Sequence, residues 1–235
     1  AEDNFFLDLK RITELCGGII ENNIKIKWAT DVRIDQINGF SDEFTRLLKQ
    51  SGCSKLYVGA ESGDDDVLKL VDKKICLNDT IEAAGRLNKH KIISEFFLIF
   101  GFPINPEKDF NLSLEMIKQI KSRFSDHQFT PFLYTPYPGT PLLDLAINKG
   151  LKIPKNLEDW QNWSILKVST PWINNAYLDK INMYVKCFYP LAFPSASLEN
   201  KFKYGFKRLL YRILHRIAFF RVKHNFFVFP IEWVL

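Results

Sequence analysis

Apolar positions along this chain recur with two periods, and the switches between them divide it into helices and strands. Leu7, Ile12, Leu15, Ile19 and Ile20 recur at helical spacing and predict a helix over 6–22, weakened by Gly17 and Gly18. Short runs of strand formers follow at 24–30, 54–60, 92–100 and 128–134. Between them, Ser41 caps a helix carrying Phe44, Leu47 and Leu48 that stops at Ser51 and Gly52, and Asp65 with Val67 begins a further helical pattern. Asn78 or Asp79 caps the next helix, which runs to about Asn88. Pro106 opens another, with Leu114, Ile117 and Ile120 on its inner face. Past the last strand, Thr135-Pro-Tyr-Pro-Gly-Thr-Pro141 leads to a short helix ending at Gly150.

Strand and helix alternate four times with short connections, which predicts a parallel sheet with right-handed crossovers. Two closures fit the pattern, a barrel or an open doubly wound sheet. Both bring Asp31 and Arg33, Glu61 and Ser62, Gly101 and Thr135 to one edge, where ligands bind in such folds. The stretch from Leu56 to Gly63 makes this plainest, because an apolar run ends abruptly in Glu61, Ser62 and Gly63. No strand is followed by a glycine-rich dinucleotide loop or a phosphate loop, which favours the barrel. Within the third strand Ser94 and Glu95 interrupt an apolar run and are candidates to face the barrel interior. An acid buried there needs a partner. His127, just before the last strand, reads as a loop residue.

With 235 residues, 46% of them hydrophobic, the chain is long enough to bury a sizeable core. Its four cysteines, Cys16, Cys53, Cys76 and Cys187, lie far apart without metal-site spacing and read as small buried hydrophobes of a reducing compartment. The formal charge of +5 is concentrated late in the chain. There, over 198–221, a helical stripe of Phe202, Phe206, Leu209, Ile213, Ile217 and Phe220 runs roughly opposite Lys201, Arg208, Arg212 and His215. Such a helix packs its stripe on the barrel or lies on an anionic membrane surface; nucleic acid is not an expected partner, for want of a binding motif. Before it, Pro154, Trp160, Trp163, Pro171 and Trp172 suggest an irregular segment. The reading is thus a partial barrel over 1–150 and a mainly helical extension over 151–235, cytoplasmic or peripheral at a membrane.

The succession Glu2-Asp3-Asn4-Phe5, Lys27-Trp28 with Arg33 and Asp35, Gly59-Ala60-Glu61-Ser62-Gly63, Phe100-Gly101-Phe102-Pro103 and Thr135-Pro136-Tyr137-Pro138-Gly139-Thr140 resembles the radical S-adenosylmethionine enzymes. The closest subgroup is the one that often carries an N-terminal cobalamin-binding domain. The resemblance covers roughly residues 1 to 150, in order. It implies an α/β, TIM-like (β/α) barrel of about six units, of which four are present here. It also implies S-adenosylmethionine and a four-iron four-sulfur cluster as cofactors, with cobalamin a further candidate. The cluster loop of that family, CxxxCxxC, does not occur in this sequence. Aligned by its motifs, the chain begins near the end of the second barrel strand, so it reads as a fragment whose cluster ligands lie upstream.

Carried over position by position, the resemblance puts Glu61 on the ribose hydroxyls of S-adenosylmethionine, where a carboxylate accepts two hydrogen bonds from a vicinal diol. Asp3 falls near the methionine amino group. Arg33 offers a cation to the methionine carboxylate or to substrate, and Gly101 allows close approach near the adenine. Ser62 and Tyr134 complete the cofactor-binding candidates. One departure is that Ile104-Asn105-Pro106 follows Gly-Phe-Pro where the family usually has Gly-Glu-Thr. The partners implied are a small-molecule or lipid-like substrate, a reductant protein and the upstream part of the same protein. Two functional classes remain open. One is a radical enzyme acting through a 5′-deoxyadenosyl radical or cobalamin-mediated methyl transfer, and the other is a barrel-derived binding module without catalysis.

Overall fold

The computed structural model describes residues 4–161, 170–194 and 205–227. The chain divides into two units, Ala1–Leu143 and Asp144–Leu235.

In the first unit a 3₁₀ turn (Phe5–Leu7) leads into α1 (Leu9–Glu21), whose Asp8 caps the amide of Arg11. This helix buries Ile12 and Cys16 but leaves Leu15 and Ile20 exposed, as is Leu7 in the turn before it, so only part of the expected apolar stripe is used. Its stop explains the strand that follows. Asn23 takes a left-handed φ of 50°, Asn23 N donates to Ile20 O, and Ile24 N donates to Ile19 O. That is a Schellman arrangement, with Ile24 occupied in ending the helix. Strand β1 is therefore Trp28–Val32, not the expected 24–30, and begins where Trp28 N finds Gly52 O.

A short helix that the sequence reading missed, α2 (Ile34–Gly39), precedes α3 (Asp42–Gln50), which is capped by Ser41 as expected. Next come β2 (Cys53–Glu61), α4 (Asp65–Leu70), α5 (Leu77–Lys89), β3 (Ile93–Phe100), α6 (Pro106–Arg123) and β4 (Gln128–Leu133). The N-cap of α5 is Cys76, not Asn78 or Asp79. Asp79 sits one turn in and accepts from the Cys76 amide, which leaves the Cys76 side chain exposed rather than buried.

The strands form one sheet in the order β1-β2-β3-β4, every pair parallel. Leu56, Val58, Ala60, Phe96, Leu98 and Phe100 are fully buried on one face, which α3, α5 and α6 cover. Their neighbours Lys55, Tyr57, Glu95 and Phe97 are half-buried on the other face. This is the alternation of a sheet with helices on its outside and an open inside, four strands of a partial barrel.

Helix α7 (Pro141–Asn148) begins in the first unit, continues into the second and is followed by Gly150 at φ +94°; α8 (Leu157–Trp160) is short. Helix α9 (Asn175–Met183) continues through a π segment (Tyr184–Phe188) into α10 (Tyr189–Ala192). Pro190 lies just beyond the π segment; its missing N–H removes a regular helical bond there. Helix α11 (Gly205–His224) packs Ala218 and Val222 against this run, and Tyr184, Phe188 and Phe227 fill the space between. Leu198, Lys201, Phe202 and Trp163 lie outside the described residues.

Candidate functional site

The site is built from the open face and C-terminal edge of β2 to β4. Pairing runs regularly until Gly59, then slips so that Glu61 faces Leu98. This bulge gives Glu61 a φ of 61°, a left-handed backbone that is costly for a side-chain-bearing residue and that re-aims its carboxylate. Lys73 Nζ holds Glu61 Oε1 at 2.8 Å, and no described residue donates to Oε2. A second helix stop supplies that lysine: Asp72 adopts φ 54° after α4, and Lys73 N donates to Leu68 O, which turns its side chain toward the strand end. Gly59 lies beneath, where an added Cβ would stand 2.6 Å from Glu61 Oε1.

Deeper on the same face lies a polar cluster. Tyr57, Glu95 and Gln128 share one row of the sheet, and Gly59, Phe97 and Thr130 the next. Lys55 Nζ donates to Glu95 Oε2 at 2.8 Å and to Gln128 Oε1 at 2.6 Å, while Thr130 Oγ1 donates to Glu95 Oε1 at 2.6 Å. Burial alone would raise the Glu95 carboxyl; the hydrogen bonds from Lys55 and Thr130 outweigh it and hold the group below its ordinary value. Above this floor Tyr57 stacks on Phe97 at 5.9 Å and Phe97 meets the edge of Phe132 at 5.7 Å, giving an aromatic wall between the polar floor and Glu61.

The expected site residues distribute unevenly over this geometry. Glu61 stands at the edge. Ser62, its neighbour, turns to the helix side, fully buried, where its hydroxyl donates to Asp109 and accepts from the Asp64 amide at 2.8 Å. It braces the loop instead of facing the open side. Arg33 lies exposed past β1 and donates through Nε and Nη2 to Asp35. Gly101 takes φ 88° directly after β3, and Tyr134 is buried after β4 with its ring 5.0 Å from Phe102. Burial pushes the Tyr134 phenol up to about 12, so it stays protonated. Asp3 lies outside the described residues.

Of the two interrupting residues, Glu95 faces the interior with the partner expected for it. Ser94 does not: it points to the helix side and contacts His127. His127 lies in the connection before β4, as expected, but its side chain is buried in the core. Its Nδ1 accepts from the Ser94 amide and its Nε2 donates to Ala84 O, so both nitrogens are engaged, and burial lowers its proton affinity. Sequence reasoning missed Lys55 and Lys73. Lys55 was legible as a charge on the same strand face as Glu61; Lys73 depends on the turn after α4.

The cysteines do not fit an iron-sulfur cluster. Cys16 and Cys53 are buried, and burial raises both thiols, Cys53 to about 12, which disfavours the thiolate that iron needs. Cys76 is exposed at a helix start and Cys187 is buried in the second unit. Among the described residues, no three His, Cys, Asp or Glu side chains gather to hold a metal ion.

A profile described as the radical SAM superfamily matches residues 3–117. An uncharacterized methyltransferase of Pyrococcus horikoshii is 27% identical over 165 residues, 70% of this chain and 34% of that protein. The bacteriochlorophyllide d C-12(1)-methyltransferase of Chlorobaculum tepidum is 30% identical over 144 residues, 61% of this chain and 30% of its own length. The chain thus spans about a third of these curated relatives, 34% and 30%. Among solved structures, the cobalamin-dependent S-adenosylmethionine radical enzyme OxsB in its apo form superposes with a TM-score of 0.62 over 93% of this chain and 38% of that one. The identity is 14%, so this is a likeness of fold.

Proposed function

We propose that this chain, matched over residues 3–117 by the radical SAM superfamily profile, forms the nucleoside-binding edge and the substrate-facing wall of a radical S-adenosylmethionine methyltransferase. The observation that carries this reading is the carboxylate of Glu61, aimed by a bulge at the C-terminal edge of the sheet. One oxygen is held by Lys73 and the other is left to a ligand. A vicinal diol is a fitting partner, because its two hydroxyls donate to one carboxylate. Gly101, in its left-handed turn, permits the adenine to approach the backbone, and Arg33, exposed past β1 and paired with Asp35, is the candidate cation for the methionine carboxylate.

When bound, S-adenosylmethionine and a four-iron four-sulfur cluster supply radical or methyl-transfer chemistry. None of the four cysteines suits the cluster, so we assign its ligands to sequence outside these 235 residues, and its electron to a reductant protein. Two curated relatives are named methyltransferases, which supports methyl transfer as the outcome; the cobalamin-dependent enzyme of similar fold makes cobalamin the candidate methyl carrier. The Tyr57, Phe97 and Phe132 wall favours a small-molecule or lipid-like substrate with an extended apolar face, and the Glu95 and Lys55 floor favours a polar group at its inner end.

The reading is tested without a cluster by comparing 5′-deoxyadenosine with its 2′,3′-dideoxy analogue in equilibrium dialysis. The diol compound is expected to bind more tightly, and Glu61→Ala to remove the difference. Charge-assisted hydrogen bonds contribute about 1.5–3 kcal/mol each, so the wild-type ratio should exceed about tenfold. Equal binding of the two nucleosides by the wild-type chain would remove Glu61 from the site.

A further inference from the structure

Helix α11 presents three faces. One is packed, through Ala218 and Val222, while Tyr211, Leu214 and His215 are half-buried beside them; His215 Nδ1 donates to Leu191 O at 2.8 Å. The other two lie side by side on the outward half of the helix. Phe206, Leu209, Ile213 and Phe220 follow one another at three-, four- and seven-residue intervals and therefore share a ridge. They are 78%, 56%, 48% and 58% exposed. Next to this ridge runs a second of Arg208, Arg212, Arg216 and Lys223, all exposed. From Gly205 to Phe227 the sequence has neither Asp nor Glu, so no acidic side chain of this segment offsets the basic ridge.

The placement differs from the simple amphipathic pattern expected of the sequence. The helix already has a packed face, and the large apolar residues are not on it. Four big apolar side chains in a continuous exposed row are unusual on a protein surface and mark a contact site. A row of arginines at their flank gives the contact a sign. An apolar ridge beside a basic one matches an interface that is oily beneath an anionic layer. No helix among the described residues is long and apolar enough to cross a membrane, so the contact is one of lying on the surface.

We propose that α11 is a monotopic docking surface for an anionic phospholipid bilayer, with Phe206, Leu209, Ile213 and Phe220 entering the acyl boundary and Arg208, Arg212, Arg216 and Lys223 meeting the headgroup phosphates. This inference stands apart from the chemistry assigned to Glu61. A bilayer is favoured over nucleic acid because the phosphate backbone of a duplex would engage the arginines and leave the apolar ridge in water. It also suits a substrate that partitions into lipid.

The test is sedimentation of the whole chain with vesicles of phosphatidylcholine alone and of phosphatidylcholine mixed with phosphatidylglycerol. Retention is expected only on the mixed vesicles at low salt, falling as salt rises, because surface charge is screened within about 10 Å at 0.1 M. Arg212→Gln and Arg216→Gln should each lower the partition coefficient roughly fivefold, the equivalent of about 1 kcal/mol per basic residue at an anionic surface. Phe206→Ser with Phe220→Ser should abolish retention at low salt while circular dichroism stays unchanged, since both side chains are exposed. Equal recovery with the two vesicle types would overturn the proposal. So would undiminished retention of the double Phe variant, which would mark a purely electrostatic surface, as for nucleic acid.

Discussion

Glu61 and Ser62 are adjacent in sequence and face opposite ways: the bulge and left-handed φ of Glu61 aim its carboxylate at the open edge, while Ser62 turns to the helix side. In the regular strand β3, alternation separates Glu95, on the open face, from Ser94, which meets His127 behind it. From the sequence, both members of each pair are expected toward the site; alternation along β3 makes the split of Ser94 from Glu95 legible, whereas the split of Ser62 from Glu61 depends on the bulge after Gly59. What the sequence did not disclose is the carboxylate that receives Ser62. Asp109, one turn into α6, is fully buried and accepts from Ser62 and Ser113 on Oδ1, while Oδ2 has no partner among the described residues. Burial pushes its carboxyl up to about 7, against those hydrogen bonds, which pull it down. The unfolded carboxyl ionises near 3.8 and the folded one near 7, so between these values the folded state holds the extra proton and stability falls as pH rises. The loss above pH 7 is on the order of 4 kcal/mol. Asp109→Asn removes this titration. Its melting temperature is expected to lie near the wild type at pH 4 and above it at pH 8, and a wild-type lead at pH 8 would show that the ionised form is the stable one.

At the scale of elements, the edge of the site is fixed by how closely the loop after β2 packs on α6. Gly63 N donates to Ser113 Oγ at 2.8 Å, and a Cβ on Gly63 would stand 2.7 Å from Leu112 O and from Ser113 Cα. These are backbone atoms of a helix, unable to yield as a flexible side chain would. Gly63→Ala should therefore separate loop from helix and cost about 1–3 kcal/mol, whereas Gly18→Ala in α1, where a Cβ meets nothing within 4 Å, should stabilise by about 0.5–1 kcal/mol. Urea midpoints of the two variants are expected to move in opposite directions; a neutral Gly63→Ala would mean the loop is free to shift. Element order was readable because the apolar period changes cleanly between 2 and 3.6. Boundaries were less so where a helix stop borrows a strand-like residue. Ile24, Ile26 and Trp28 look like one alternating strand, yet Ile24 closes α1, and Ile24 and Ile26 are exposed. The stop after α4 that delivers Lys73 depends on a left-handed Asp72, a conformation for which an aspartate gives only a weak sequence signal.

For the whole molecule, the sheet edge, the aromatic wall and the polar floor belong to one unit, which holds three of the four cysteines, Cys16, Cys53 and Cys76. A four-iron four-sulfur cluster needs thiolates brought together by one loop or a shared cleft. Cys16 lies in α1 beside Ser51 Oγ, Cys53 starts β2 at the end of the strand opposite Glu61, and Cys76 begins α5. The first two are also held as thiols by burial, and the energy to ionise Cys53, pushed up to about 12, works against iron at neutral pH. Anaerobic reconstitution of this chain with iron and sulfide is therefore expected to give no stoichiometric cluster, no absorbance band of a bound cluster and no 5′-deoxyadenosine from S-adenosylmethionine. Nucleoside binding at Glu61 should survive the same treatment unchanged, because the edge carboxylate, Lys73 and the Gly101 turn are built without metal. The two measurements separate the cofactor's two ends. A cluster assembled on these cysteines would overturn the argument from burial, and a nucleoside site that appears only after iron is added would show that the edge is not formed by this unit alone.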